Sequence, residues 1–83
     1  MKLPVIRHLQ KNNDKEKLSH TAEVLESVCE HRAIKEDEMD VLGELLTNIY
    51  GAIEVHNMVE DEGMSQIDAA NAFAQKVMGS IDR

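Results

Sequence analysis

The side chains able to do chemistry in this chain are one cysteine, four histidines, four serines and sixteen carboxylates. Carboxylates and histidines together suggest a metal centre first. A di-iron helical bundle takes a glutamate from each of two helices and a Glu-x-x-His pair from each of the other two, all pointing inward. No Glu-x-x-His occurs here, and His20-x-x-Glu23 reverses the order. On a helical wheel His20 and Glu23 lie opposite the apolar stripe of their segment. Glu44 falls on the polar back of the long central segment and His56 falls inside its apolar arc, more than three turns away. One ion cannot reach both within one chain. No metal site is expected, and an ion held between two chains, making a metal-dependent oligomer, is the arrangement left open. His56 reads instead as a core histidine satisfied by a backbone carbonyl or a carboxylate.

Thiol chemistry fares no better. Cys29 stands in Ser-Val-Cys-Glu-His, near the end of a helical segment, with Glu30 beside it. A reactive thiolate is favoured by a helix N-terminus or by nearby cations. Cys29 also continues the apolar stripe of Leu25, so a buried structural thiol is expected. A single cysteine excludes an intrachain disulfide and a cysteine-based zinc site. The chain lacks the Gly-x-Ser-x-Gly nucleophile elbow and a glycine-rich phosphate loop. The expectation is a protein without catalytic residues and without a cofactor, with Cys29, Glu44 and His56 as the polar residues of interest.

These side chains must be carried by helices. Pro4 is the only proline, and the four glycines Gly43, Gly51, Gly63 and Gly79 are widely spaced. Helix formers dominate. A short first helix starts at Pro4, with Leu3, Ile6 and Leu9 inward; proline suits the first helical position. Asn12-Asn13-Asp14 breaks it and caps the next. The second helix runs from Lys15 to His31, with Leu18, Ala22, Leu25 and Cys29 as its stripe and Val24 and Val28 widening it. The third runs from Glu36 to Val59 along Met39, Leu42, Leu46, Ile49 and Ile53. Acids at positions 36–38 suit its first turn, the acids Glu60 to Glu62 oppose its end, and Gly63 supplies a left-handed stop. Ser65 to Asp68 resembles a capping box. The last helix runs from Gln66 to Gly79, with Ala70, Phe73 or Ala74, Val77 and Ile81 inward. The fold class is therefore all-α: residues 1–83 form one small antiparallel helical bundle of three main helices plus a short N-terminal helix.

The third helix is too apolar for one wet side. From Ile49 to Val59 only Glu54, His56 and Asn57 are polar, and Val55 and Met58 fall where water should be, beside Gly51. A helix apolar nearly all round is buried on more than one side, and a glycine inside a helix costs about 0.5–1 kcal/mol against alanine unless close approach requires it. Ile49, Gly51, Ala52, Val55 and Met58 are expected to contact another helix. A second copy of the chain, completing the bundle as a homodimer, is the favoured occupant. The first and last helices of the same chain are the alternative.

Size and charge bound the partners. The chain has 83 residues, 42% hydrophobic, 30% charged and 2% aromatic, with formal charge −7. That is one domain, small enough to need support from oligomerisation. No apolar run approaches the about 20 residues that cross a bilayer, and the first nine residues lack a leader's apolar core, so a cytoplasmic protein is expected. The acidic balance argues against nucleic acid and anionic membranes. Residues 1–17 hold five basic and two acidic side chains, and residues 23–62 hold two basic and twelve acidic ones. The acidic segment 36–62 is a candidate surface for a basic protein partner.

Three phrases carry a resemblance. They are Met1-Lys-Leu-Pro-Val-Ile-Arg-His8, the stretch from Glu38 through Gly-Glu-Leu-Leu-Thr-Asn-Ile-Tyr-Gly-Ala to His56, and Val77-Met-Gly-Ser-Ile-Asp82. Over most of its length the chain resembles a family of short bacterial helical proteins grouped as a domain of unknown function. The resemblance implies a bacterial cytosolic protein and brings no catalytic residue or cofactor. Through an association of relatives with thioredoxin and peroxiredoxin genes, it also implies an accessory or adaptor role in such a redox system. The residues themselves point to a helical protein–protein interaction module.

Overall fold

A computed structural model describes residues 1–81, with side chains through Val77. Four helices follow one another: α1 (Leu3–Asn12), α2 (Lys15–Cys29), α3 (Glu36–Glu62) and α4 (Gln66–Ile81). No strand occurs among the described residues. α3 is the hub on which α1, α2 and α4 each pack. Its 27 residues give a rod of about 40 Å at about 1.5 Å per residue.

Local chemistry sets the helix ends. Asp14 caps α2, its carboxylate accepting from the Lys17 amide at 2.7 Å. Glu38 accepts from the Lys35 amide at 2.9 Å and closes the first turn of α3. Ser65 Oγ accepts from the Asp68 amide at 3.1 Å, which starts α4. α2 stops at Cys29, two residues earlier than expected. The amides of Glu30 and His31 turn back to the Ser27 and Val28 carbonyls at 3.3 and 3.2 Å, which tightens and ends the helix. α3 continues three residues further than expected, through Glu60, Asp61 and Glu62. Exposed acids at a helix end oppose the dipole weakly, whereas Gly63 adopts φ 69° and its amide reaches the Met58 carbonyl. The Met64 amide joins the same carbonyl at 3.3 Å. The stop is made by Gly63, and the acids ride inside the helix.

Three contacts give the direction of α1. The Lys2 amide donates to Asn48 Oδ1 at 2.8 Å, Ile6 lies against Gly51, and His56 Nε2 donates to the Asn13 carbonyl at 2.7 Å. α1 therefore runs parallel to α3. α4 runs back along it, with Gln66 bonded to Gln10 at 2.7 Å and Phe73 against Gly51.

The core comprises Ile6, Leu18, Ala22, Ile49, Ala52, Val55, Met58, Ala69 and Phe73. Leu3, Leu9, Leu25 and Val77 pack at its edge as the periodicity indicates. Ala69, fully buried, takes the place expected for Ala70, because the inward stripe of α4 is Ala69, Phe73 and Val77. Ile81, expected inward, has its side chain outside the described residues. Val24 does not widen the α2 stripe; it is 64% exposed.

The back of α3 is covered within the chain. Ile49, Gly51, Ala52, Val55 and Met58 do contact other helices, but those helices belong to the same chain. Val55 is 2% exposed and Ala52 wholly buried. A Cβ built on Gly51 would sit 2.8 Å from Ile6 Cδ1 and 3.1 Å from Phe73 Cζ, side chains of α1 and α4. The close approach that keeps a glycine here is intramolecular. The five residues are core, and a second chain reaches them only if α1 or α4 gives way. Gly43 is the contrasting case, with nothing within 4 Å of a built Cβ. Gly43→Ala should therefore raise stability by about 0.5–1 kcal/mol through helix propensity alone, read as a higher thermal midpoint.

Candidate functional site

The packed half and the free half of the molecule differ sharply. From Glu23 to Thr47, through the end of α2, the turn and the start of α3, no side chain is buried. Every buried side chain described lies outside that span. One reason is length: α1 begins beside Asn48 and leads away from it, so it covers none of this end. Val24, Val28, Met39, Val41 and Leu45 remain 37–64% exposed. Val28, Ile34, Val41 and Leu42 line a groove of about 400 Å3, edged by Asp37 and Glu38. The turn is held by the Ile34 amide on the His31 carbonyl at 3.1 Å and the Ala33 amide on His31 Nδ1 at 3.1 Å. His31 is therefore a structural residue of the turn.

This end is also the acidic one. Residues 20–47 contain eight acidic and two basic side chains, a net −6. The acidic segment 36–62 does not form one surface. Five acids occupy positions 36–44 at the free end, three occupy 60–62 at the opposite end of the α3 rod, and the stretch between holds only Glu54. Glu54 pairs with Lys76 Nζ at 3.2 Å.

The three polar residues of interest are not brought together. Glu44 is exposed and 3.9 Å from Lys2 Nζ; such a pair contributes little. Cys29 is a free, half-buried thiol at the end of α2. His56 is a half-buried tie between α3 and the α1–α2 turn, bonded to a backbone carbonyl as expected. Among the described residues, no three His, Cys, Asp or Glu side chains come together as a metal site. Replacing His56 by leucine strands the Asn13 carbonyl and should lower stability by about 1–2 kcal/mol, measurable as a shift in the urea midpoint at unchanged slope.

Sequence reasoning passed over two buried polar residues that matter for position. Asn48, 4% exposed, fixes the start of α1 through the Lys2 amide. Gln10, 8% exposed, accepts from Gln66 and joins α1 to α4. The available signal was a carboxamide on the apolar side of its own helix, where burial demands a partner. A second groove, about 410 Å3, lies over that Gln10–Gln66 bond, with Arg7 and Lys11 on one wall and Ile67 and Asn71 on the other.

No described helix is long and apolar enough to cross a membrane. No curated protein and no solved structure matches the chain. One family does, over residues 1–82, and the chain belongs to it: the family of unknown function DUF6952.

Proposed function

We propose that this protein is a non-catalytic helical protein–protein interaction module that receives its partner on the free end of the α2–α3 hairpin. The observation that carries the reading is the 25-residue span from Glu23 to Thr47 without a buried side chain, in a chain otherwise packed around α3. Two bulk properties support it. The chain exposes 5911 Å2, against about 5,000 Å2 for a compact monomer of this mass. The radius of gyration is 13.7 Å, where a compact domain of this length has about 12 Å.

A photo-reactive amino acid at Val41, introduced in the source cells, tests this reading. Adducts of discrete mass at Val41, absent when the probe sits at exposed Gln75 on α4, are expected. No adduct at Val41, or the same adducts from both positions, would overturn it. A homodimer at this end would appear as an adduct of twice the chain mass.

A further inference from the structure

The free end is asymmetric in a way that specifies its occupant. α1 lies in a lane beside α3, with Leu3, Ile6 and Leu9 toward the core and Lys2, Arg7 and Lys11 exposed. Going up α3 from Asn48, that lane passes over Leu45 and Val41, which lie four residues apart on the same side of the helix, and it ends at the groove shared with Val28. α1 enters below them, so the upper lane is bare: Val41 is 58% and Leu45 46% exposed. The lower lane shows what fits the upper one, a short amphipathic helix with basic flanks. Lys2, at the cap of α1, faces Glu44 at 3.9 Å across the boundary.

Charge separates the candidates. A second copy presenting the same end brings a net −6 to meet a net −6, a like-charge juxtaposition that disfavours pairing. An anionic bilayer is repelled for the same reason. A helix with lysines or arginines beside an apolar stripe meets Asp37, Glu38 and Glu44 at the edges and Val28, Val41 and Leu45 at the centre. Helix-in-groove recognition uses anchors at i, i+3, i+4 and i+7, and about three turns of helix cover the span from Asp37 to Asn48. Resting on the interaction-module reading, we propose that the upper lane takes a basic amphipathic helix from a different protein, seated on Val28, Val41 and Leu45 and flanked by the acids of residues 37–44.

The test uses the full chain and two synthetic probe helices. Both carry leucine at i, i+3, i+4 and i+7; one is flanked by lysines and the other by glutamates. Amide shifts map the site and fluorescence anisotropy gives the affinity. The lysine probe should move amides within residues 24–46 and leave Glu60–Glu62 unmoved. Val41→Glu with Leu45→Glu should weaken it about tenfold or more, as loss of central anchors does. Asp37→Asn with Glu38→Gln should weaken it and flatten its salt dependence, while Glu60→Gln, Asp61→Asn and Glu62→Gln together should not. Circular dichroism confirms that each variant folds. Equal binding of the glutamate probe, or shifts spread to the Glu60–Glu62 end, would overturn the proposal. So would a partner crosslinked at Val41 through a segment that is neither basic nor helical, or a second copy found there; in those two cases the module reading stands and only this inference falls.

Discussion

Leucine at position 51 should leave the chain unable to fold. Gly51 is buried where α1 and α4 converge on α3, and even a single Cβ would lie 2.8 Å from Ile6 Cδ1, 3.2 Å from Ile6 Cγ1 and 3.1 Å from Phe73 Cζ. Ile6 is 1% and Phe73 6% exposed, so neither has free space to retreat into. Overpacking by one or two carbons costs about 1–3 kcal/mol, and a leucine adds four against a total stability of about 4–12 kcal/mol for a domain of this length. The expected result is loss of a cooperative melting transition. Gly51→Ala sets two known terms against each other: a helix gain of about 1 kcal/mol and an overpacking loss of about 1–3 kcal/mol. The close contacts decide for the loss. Ile6→Val removes Cδ1, the atom in closest contact. The double variant Ile6→Val, Gly51→Ala should then be more stable than the sum of the single effects by about 1 kcal/mol. A Gly51→Ala protein stabilised by its full helix propensity would mean that Ile6 and Phe73 do not crowd the glycine.

The second large effect separates the two apolar surfaces of α3. Val55→Glu places a carboxylate at a position 2% exposed, within the hydrophobic core. An unpaired buried charge is strongly destabilising, about 3–5 kcal/mol by analogy with a broken buried pair, and the variant should be largely unfolded. Val41→Glu with Leu45→Glu introduces twice the charge at positions 58% and 46% exposed. Exposed substitutions of this kind fall within about ±0.5 kcal/mol each, so the double variant should melt close to the parent while losing its partner. The pair of results distinguishes core from docking surface on one helix. A folded Val55→Glu protein whose only defect is loss of a dimer would restore the view that this face meets a second chain.

The residues show why the fold was legible and the site was not. The starts of α2 and α4 follow from Asp14 and Ser65, which accept from amides of the next turn, and that of α3 from Glu38, which accepts from the Lys35 amide before it, all local properties. The stop at Gly63 follows from its left-handed φ, also local. Ile49, Ala52, Val55 and Met58 are buried, as a helix apolar nearly all round requires. Periodicity reports that a face is buried, though, and not whose helix buries it. The ten residues of α1 are enough to cover α3 from Asn48 to His56, and that geometry decides the occupant. The same shortness leaves Val41 and Leu45 bare. In the sequence they look like ordinary members of a helical stripe; only the point where α1 enters reveals them as uncovered. Cys29, Glu44 and His56 were singled out by chemical type, and distance dispersed them.

Amide hydrogen exchange on the purified chain tests the central claim most directly, that one half of the α3 rod is core and the other an unfilled hairpin end. Amides from Asn48 to Met58 should exchange only through global unfolding. Those from Leu25 to Leu46 should open locally and exchange faster by about tenfold or more. Uniform protection along α3 would contradict the account, because it would mean that the hairpin end is already packed in the protein alone.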